Sequence, residues 1–327
     1  MTTAARRIVV TTEGARGAAG GLAELVAAGA EIIPRYDLGD GHDGAALGDG
    51  LAGAWAVVAG SERYTADVFA AASSLRALVR FGAGYDAVVV AAATRAGVAV
   101  CITPGANAEA VADMALALML ACLRRIPELD ASVRGGTWRP PGVARDLAGA
   151  TVAIVGLGAI GRAVARRLRG FGCSLLAVEP HPGDGVAELG VELCDLDGAL
   201  RRADVVTLHA PAADLSHPLL GRREIGLLQA HAIVVNTARG GLVDEPALVE
   251  ALREGRIGGA GLDVFAREPL AAGDPLTTLP NVVLSGHASA FTPSAIERTG
   301  AAVVAALAGL LAGELPAACL NPAAWTD

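Results

Sequence analysis

The chain has 327 residues, which is enough for two domains of ordinary size. Apolar residues make up 53% of it and aromatic residues only 3%, so the core is built from Ala, Val and Leu, and a disordered chain is excluded. The formal net charge is −8 with no basic tail or run, which argues against nucleic acid or an anionic membrane as a partner.

The chain contains no lysine, so all 26 basic residues are arginine. Mechanisms that need a lysine are therefore excluded, such as a Schiff base, a phosphate-loop lysine or a Tyr-Lys reductase pair. A side chain that binds an anion by its charge has to be arginine, which grips carboxylates and phosphates bidentately.

The cysteines are scattered and form no CxxC metal or redox motif; they are Cys101, Cys122, Cys173, Cys194 and Cys319. This distribution predicts small buried thiols in a reducing compartment and no metal site. The N-terminal segment lacks the apolar core of a signal peptide, and the longest apolar stretch, residues 115–123, is shorter than the roughly 20 residues of a membrane span. We therefore expect a cytoplasmic protein that does not engage a membrane.

Short β-branched segments alternate with alanine-rich helical segments along the chain. The first series of predicted strands comprises residues 8–11, 31–33, 56–59, 77–81 and 98–101. After a predicted helix over residues 107–125, the second series comprises residues 151–155, 174–178, 205–208, 232–236, 260–263 and 282–285. Because such alternation produces parallel sheets with crossover helices, the sequence predicts the α/β class with two Rossmann-like units.

The last predicted helix, residues 294–311, follows the second series. A chain that crosses into the second unit and returns would pack this helix against the first unit. We therefore predict a discontinuous substrate domain, residues 1–102 and 293–327, and a cofactor-binding domain, residues 103–292.

The second series opens with a glycine-rich turn between a strand and a helix. Gly156, Gly158 and Gly161 have the spacing GxGxxG. In such a turn the first glycine permits the tight bend, the second lets a pyrophosphate approach the backbone, and the third allows the helix to pack closely on the strand. The helix N-terminus adds N–H groups and partial positive charge for the phosphates. The turn therefore predicts a dinucleotide site.

Glu179 follows the next predicted strand, roughly 20 residues after the turn. A carboxylate at this place accepts hydrogen bonds from the ribose diol and repels a 2′-phosphate, so Glu179 favours NAD over NADP. The neighbouring His181 keeps NADP open, since a cationic imidazole would tolerate the phosphate.

Three polar residues follow later strands of the same series: Arg239, Glu268 and His287. Ligands of open parallel sheets bind beyond the carboxyl ends of the strands, so we expect all three at the edge where a nicotinamide lies. His209 follows another strand of this half and is predicted to line the cofactor rather than to act as an acid or base.

Reduction of a 2-keto acid requires a cation for the carboxylate, a polarising group for the carbonyl and a proton donor for the alkoxide. Arg239 can supply the first two, and His287 can supply the proton because imidazole ordinarily titrates near neutral pH. Glu268 can hydrogen-bond His287 and favour the imidazolium that reduction needs. Asp263 is a weaker candidate for tuning the same electrostatics.

These segments resemble the D-2-hydroxyacid dehydrogenase family, most closely its phosphoglycerate-dehydrogenase-like branch. The matching segments cover most of the chain and comprise residues 81–86, 103–107, 156–161, 208–211, 236–245, 261–265, 268–270 and 287.

The resemblance implies an NAD-dependent oxidoreductase that transfers a hydride between NAD(H) and a small D-2-hydroxy acid or 2-keto acid. It implies two Rossmann-like, doubly wound parallel-sheet domains with the active site in the cleft between them. It also implies a homodimer or a larger oligomer, built mainly on the cofactor domain. It gives Arg239, Glu268 and His287 the catalytic roles argued above, and it places the backbone N–H groups of Ala83 and Gly84 on the substrate carboxylate. The remaining implied site residues are Asn107 at the hinge and, around NAD, Ala159, Ile160, Glu179, Ala210, Thr237, Ala238 and Asp263.

The chain departs from the family pattern at a position that bears on the substrate. Phosphoglycerate-type members usually carry an arginine where this chain has Ala59, which weakens the case for a phosphorylated substrate. Arg63, Arg80 and Arg139 could still supply phosphate contacts.

Two other functions fit the same residues. An NADPH-dependent glyoxylate or hydroxypyruvate reductase would share the fold and the three catalytic residues, although Glu179 argues against it. An NAD(H)-sensing, corepressor-like binding protein would also keep these residues, and it would bind short peptides. A comparison of the two coenzymes tests the first alternative, and an NADH-sensitive peptide pull-down tests the second.

Overall fold

The computed structural model describes residues 5–38, 44–138, 142–212 and 217–325. The chain forms two compact units, Met1–Asn107 together with Phe291–Asp327, and Ala108–Ala290. The domain boundaries predicted from the sequence lie between residues 102 and 103 and between residues 292 and 293. In the structure, residues 103–107 and 291–292 belong to the first unit rather than to the second.

Both units contain parallel strands that alternate with helices, which confirms the predicted α/β class. Within the described residues, the first unit has β1 (Arg6–Val10), β2 (Ala30–Pro34), β3 (Ala56–Ala59), β4 (Ala77–Arg80) and β5 (Ala99–Cys101). The second unit has β6 (Thr151–Val155), β7 (Ser174–Val178), β8 (Val191–Leu193), β9 (Val205–Leu208), β10 (Ile233–Asn236), β11 (Gly259–Leu262) and β12 (Val282–Leu284). Every predicted strand is present, and β8 is an additional one.

The helices of the described residues, in chain order, are α1 (Ala19–Ala27), α2 (Gly44–Gly50), α3 (Ala66–Ala71), α4 (Val90–Arg95), α5 (Ala108–Leu123), α6 (Ile126–Arg134), α7 (Ala159–Leu168), α8 (Leu196–Arg202), α9 (Arg222–Ile225), α10 (Glu245–Arg253) and α11 (Pro293–Leu311). The predicted helix over residues 107–125 corresponds to α5, and the one over residues 294–311 corresponds to α11.

The sheet of the first unit has five strands in the order β2-β1-β3-β4-β5, and every neighbouring pair is parallel. All residues of β3 and β4 are buried, as expected for strands that are covered on both faces and therefore consist of continuous apolar runs. The carboxyl ends of these two central strands lead into Gly60 and Phe81. The segment 81–86 is thereby positioned at this edge of the sheet.

The sheet of the second unit has seven parallel strands in the order β12-β11-β10-β9-β6-β7-β8. The chain runs outward from β6 through β7 and β8, and then crosses over to β9 on the other side of β6. The strand order therefore reverses between β6 and β9, and a ligand crevice opens beyond the carboxyl ends of strands at such a switch point. Gly156 and His209 follow these two strand ends.

Helix α11 has 19 residues and is long and apolar enough, by length and composition, to cross a membrane. Its Val303, Leu307 and Leu310 are buried in the apolar cluster that also contains Ile8 and Val79 of the first sheet. This packing makes α11 a core helix of the first unit.

Candidate active site

The glycine-rich turn lies at the switch point of the second sheet, and each glycine has its own steric reason. Gly156 has φ +95°, and a Cβ on it would come within 2.6 Å of the carbonyl carbon of His209. A Cβ on Gly161 would overlap the carbonyl oxygen of Gly156, so this glycine lets α7 begin close to the turn. A Cβ on Gly158 would meet nothing within 4 Å, which leaves space for a ligand to approach the backbone at the start of α7.

Glu179 follows β7, and both of its carboxylate oxygens accept backbone hydrogen bonds. Oε2 accepts from the Leu157 N–H at 2.9 Å, and Oε1 accepts from the His181 N–H at 3.0 Å. The hydrogen bonds from His181 and Leu157 lower the pKa of Glu179, so the carboxylate is anionic at neutral pH. Its negative charge is thus fixed beside the glycine turn, as the interpretation of Glu179 as a ribose ligand requires.

Arg162 is a residue near the dinucleotide site that the sequence reasoning missed. Its guanidinium donates to the carbonyl oxygens of Leu157 at 3.0 Å, of Asp184 at 2.8 Å and of Pro182. These bonds tie the loop after Glu179 to the first turns of α7, and they occupy the guanidinium with backbone oxygens. The sequence feature that could have predicted this role is the position of Arg162 directly after Gly161. A long side chain on the first turn of α7 can contact both the glycine-rich turn and the loop after Glu179.

Two buried polar atoms without a hydrogen-bond partner in the described residues lie after β9 and β10: Nδ1 of His209 and Oγ1 of Thr237. The other ring nitrogen of His209 contacts Thr207 Oγ1 at 2.9 Å, and burial lowers the pKa of His209 to about 3. His209 is therefore neutral and unsuited to donate a proton at neutral pH. Because orphaned buried polar atoms are rare, these two groups and the open space at Gly158 fit a bound dinucleotide.

The hydrogen bond predicted between Glu268 and His287 is present in the structure. His287 Nδ1 lies 2.6 Å from Glu268 Oε2, and the Phe265 N–H donates to Glu268 Oε1 at 3.0 Å. Burial raises the pKa of Glu268, but the hydrogen bonds from His287 and Phe265, with the charges of His287 and Arg239, bring that pKa below its usual range. Glu268 is thus an anion whose two oxygens are both engaged, and the second ring nitrogen of His287 has no partner among the described residues.

Asp263 follows β11, is fully buried, and binds the loop that carries His287. Its carboxylate accepts from Ser285 Oγ at 2.6 Å, from the Ala288 N–H at 2.9 Å, and from both the N–H, at 3.0 Å, and the hydroxyl of Ser289. The carbonyl oxygen of Asp263 accepts from the His287 N–H at 2.6 Å. The electrostatic role and the place in the cofactor site that the sequence suggested for Asp263 stay predictions. Its contacts in the structure are those of an anchor for residues 285–289.

Arg239 follows β10 in a loop that Asn236 fixes from the strand end. Asn236 donates from its side chain to the Arg239 carbonyl at 2.8 Å and accepts from the Ala238 N–H at 3.0 Å. A Cβ on Gly240 would overlap the backbone of Phe265, so only glycine lets the Arg239 loop approach the loop that carries Glu268. The second sheet therefore brings Arg239, Asp263, Glu268 and His287 together at one edge.

The site residues predicted on the first unit lie in two loops. Within the described residues no group accepts a hydrogen bond from the N–H of Ala83 or Gly84, in the loop after β4. Asn107, the last residue before α5, has a buried Oδ1 without a partner in the described part of the chain.

The arginines considered for phosphate binding differ in their environment. Arg80 is buried and donates to the Gly84 carbonyl at 2.8 Å and to the Ala59 carbonyl at 3.0 Å, so it holds the loop 81–86. Arg63 is exposed, and Arg139 lies outside the described residues. Ala59 is fully buried at the end of β3.

Comparisons with known proteins identify the family of the chain. Residues 116–289 match the family described as D-isomer specific 2-hydroxyacid dehydrogenase, NAD binding domain. A glyoxylate reductase of Korarchaeum cryptofilum is 41% identical over 262 residues, which cover 78% of this chain and 79% of that protein. A D-3-phosphoglycerate dehydrogenase of Methanocaldococcus jannaschii is 40% identical over 270 residues, but the match spans 81% of this chain and only 51% of that protein.

Solved structures extend the similarity to nearly the whole chain. The TT0316 protein from Thermus thermophilus aligns with a TM-score of 0.85 and 36% identity, covering 96% of this chain and 99% of that one. An NADPH-dependent glyoxylate/hydroxypyruvate reductase from Sinorhizobium meliloti, in complex with NADP and malonate, aligns with a TM-score of 0.85 and 29% identity over 98% of each chain.

Proposed function

Because the chain belongs to the D-2-hydroxyacid dehydrogenase family, we propose that Arg239, Glu268 and His287 are its catalytic residues and that it converts a small, unphosphorylated 2-keto acid and the corresponding D-2-hydroxy acid into each other. The chain is an NAD-dependent oxidoreductase that acts on CH–OH donors. The observation that carries the catalytic assignment is the 2.6 Å contact between His287 Nδ1 and Glu268 Oε2.

Bound NAD supplies or accepts the hydride at its nicotinamide ring. The backbone N–H groups of Gly158, Ala159 and Ile160 would meet the pyrophosphate, because the first N–H groups of a helix have no acceptor within it. Glu179 would accept the ribose hydroxyls. Thr237 and the loop residues Ala210 and Ala238 would line the site near the unpartnered ring nitrogen of His209.

His287 is the proposed proton donor for reduction and proton acceptor for oxidation. Its Nδ1 is committed to Glu268, so Nε2 is the nitrogen left to face the substrate oxygen. During reduction Nε2–H donates its proton to the carbonyl oxygen as C2 accepts the hydride. The Glu268 carboxylate stabilises the imidazolium before this step, and the proton returns to Nε2 in oxidation.

Arg239 is proposed to bind the substrate carboxylate and to polarise the C2 carbonyl. A guanidinium offers donors in a planar fork that matches a carboxylate, and it stays charged at every physiological pH. On the first unit, the N–H groups of Ala83 and Gly84 are proposed to donate to the same carboxylate. Arg80 supports this by fixing the Gly84 carbonyl at 2.8 Å.

The proposal that the substrate carries no phosphate is based on residues of the first unit. Ala59 carries no charge and is fully buried, and the Arg80 guanidinium is engaged with backbone carbonyl oxygens. The surroundings of Ala59 and Arg80 favour a small, unphosphorylated keto acid.

The test is a panel of 2-keto acids with NADH, ranked by kcat/KM, that includes glyoxylate, hydroxypyruvate, pyruvate, branched-chain keto acids and phosphohydroxypyruvate. We expect an unphosphorylated acid to rank first. The variant His287→Ala should lose roughly 10²–10⁴-fold in rate, the usual share of general acid catalysis, and should still bind NADH. A first rank for phosphohydroxypyruvate would overturn the substrate proposal, and full activity of His287→Ala would overturn the catalytic one.

An NADPH-dependent reductase is the second candidate, because a solved structure with this coenzyme preference resembles the chain at 29% identity. Glu179 and the engagement of Arg162 with three carbonyl oxygens argue for NADH instead. Measuring kcat/KM for both coenzymes with the best keto acid decides between them.

We also propose that the enzyme is a cytoplasmic homodimer, as the family resemblance implies. All five cysteines are free thiols, which is consistent with a reducing compartment. Light scattering after size-exclusion chromatography should give twice the chain mass of 32.7 kDa. A mass of 32.7 kDa at micromolar concentration would contradict the dimer.

A further inference from the structure

The segment after α11 pairs with β5 on the edge of the first sheet. The Ile102 N–H donates to the Ala318 carbonyl at 3.2 Å, and the Leu320 N–H donates to the Val100 carbonyl at 2.8 Å. These two bonds form an antiparallel bridge between Cys101 and Cys319.

The position of the bonds determines the geometry of the two cysteines. Each bond joins neighbours of Cys101 to neighbours of Cys319, so the cysteines are a non-hydrogen-bonded pair directly opposite each other. In such pairs the Cα atoms are about 4.5 Å apart and the side chains lie on the same face. Disulfides need a Cα separation of about 4.4–6.8 Å, so the backbone already has the spacing that a disulfide requires.

The side chains are consistent with this backbone geometry. Cys101 is fully buried in the cluster beneath α11, and Cys319 packs against the same cluster while remaining partly exposed. The two thiols are close enough for a hydrogen bond; burial, with the contact to Cys319, raises the pKa of Cys101 to about 12.

We propose that Cys101 and Cys319 are a redox-active pair that forms a reversible disulfide when the protein meets a peroxide. The partly exposed Cys319 thiol loses its proton, and its sulfur attacks hydrogen peroxide and breaks the O–O bond. One OH group stays on the sulfur as a sulfenic acid, and the other leaves and takes up the released proton as water. The Cys101 sulfur then displaces the hydroxyl group, the S–S bond forms, and the thiol proton leaves with the hydroxyl as a second water. Two thiols are oxidised and one peroxide is reduced.

Neighbouring contacts hold the two strands in register for this reaction. The side chain of Asn321 accepts from the Val100 N–H at 2.7 Å and donates to the Val98 carbonyl and to Thr94 Oγ1, each at 2.9 Å. The segment is therefore already fixed to β5 before oxidation. A covalent link here closes a long stretch of chain and restricts the unfolded state, which raises stability.

The other three cysteines provide internal controls. Cys122, Cys173 and Cys194 are in the second unit, away from the bridge between Cys101 and Cys319 in the first unit. Cys173 is instead 3.2 Å from the Leu147 carbonyl oxygen. Oxidation of the folded protein should therefore link only Cys101 with Cys319.

The experiment compares the reduced full-length protein with the same protein after treatment with hydrogen peroxide, blocking of free thiols by alkylation and digestion by trypsin without reductant. Since the chain has no lysine, trypsin cuts only after arginine, and Cys101 shares the peptide 96–124 with Cys122. The Cys122→Ser variant removes this ambiguity. We expect the peptide 96–124 linked to the peptide 299–327 in the wild type, in Cys122→Ser and in the matched control Cys173→Ser.

The link should be absent in Cys101→Ser and Cys319→Ser and should disappear after treatment with dithiothreitol. Thermal unfolding should shift to higher temperature on oxidation in the wild type and in Cys173→Ser, with no shift in Cys319→Ser. If Cys101→Ser does not fold, Cys319→Ser decides, because Cys319 is partly exposed. Oxidation of Cys319 to sulfinic acid in the folded wild type without any linked peptide would overturn the proposal, as would a link that survives in Cys319→Ser.

Discussion

Replacing Glu268 with glutamine removes the negative charge that faces His287 and keeps the size of the side chain. Two unit charges about 4 Å apart interact by about 4 kcal/mol at an effective dielectric constant of about 20. The His287 and Glu268 side chains are 46% and 35% exposed, so solvent screens much of this energy, and about 1–2 kcal/mol is a reasonable remainder. Since about 1.4 kcal/mol corresponds to one pH unit, loss of the charge should move a pH profile that depends on this pair by about one unit.

The sign of the change differs between the two reaction directions. Glu268 is anionic above its lowered pKa, so in the wild type it favours the imidazolium throughout the neutral range. In Glu268→Gln the imidazolium loses this stabilisation, and the limb of the reductive kcat/KM profile should move to lower pH by about one unit. The limb of the oxidative profile should move the same way, because oxidation needs the uncharged imidazole and the charge that disfavours this form has been removed. Reduction at alkaline pH is therefore slowed about tenfold, while oxidation at acidic pH is relatively improved.

The assay is the pH dependence of kcat/KM in both directions for the wild type, for Glu268→Gln and for Glu254→Gln. The last variant is a surface control, since Glu254 pairs with Arg256 at 2.6 Å away from the site. A general structural defect would lower both directions at every pH. Unshifted limbs in Glu268→Gln would refute the pairing of Glu268 with His287 in catalysis.

The other predictions concern residues around this pair. Arg239→Lys keeps a positive charge but loses the planar fork of guanidinium donors. We therefore expect kcat/KM to fall roughly 10–100-fold, the equivalent of one charge-assisted hydrogen bond. Steady-state kinetics that match the wild type would contradict bidentate binding of the substrate carboxylate. Asp263→Asn places an amide against N–H donors in a buried site. It should lower kcat and should lower the free energy of unfolding by about 1–3 kcal/mol, which calorimetry would register as a lower unfolding temperature. An unchanged unfolding transition would rule out the anchoring of the His287 loop by Asp263. Glu179→Ala combined with His181→Arg should narrow the preference for NADH over NADPH, and coenzyme titrations of both proteins check this.

Strand positions could be predicted because buried parallel strands are continuous apolar runs. The strand β8 was not predicted, because Val191–Leu193 has only three residues, two of them exposed, and lies at the edge of its sheet. Such a segment shows neither a long apolar run nor a measurable alternation. The order of the strands could not be predicted from these patterns either, because it depends on which strands pair across the crossovers.

Part of the site could be predicted from position alone. Arg239, Glu268 and His287 each follow a strand of one parallel sheet, so their side chains had to lie at one edge. The anchoring by Asp263 could not be predicted, because it depends on the conformation of residues 285–289. The proximity of Cys101 and Cys319 could not be predicted for a similar reason. The two residues meet only because the segment after α11 pairs with β5, and their spacing in the sequence does not indicate this pairing.

Different residues fix the backbone position of His287 and stabilise the charge of its imidazole. His287 has φ +53°, a left-handed conformation that costs about 1–2 kcal/mol in a residue other than glycine. The half-exposed contact with Glu268 contributes about 1–2 kcal/mol after screening, which only balances this cost. The buried carboxylate of Asp263 accepts from three residues of the same loop, and hydrogen bonds to a charged group contribute about 1.5–3 kcal/mol each. The anchor therefore outweighs the strain, and Glu268 is left to set the charge of an imidazole that Asp263 has already placed.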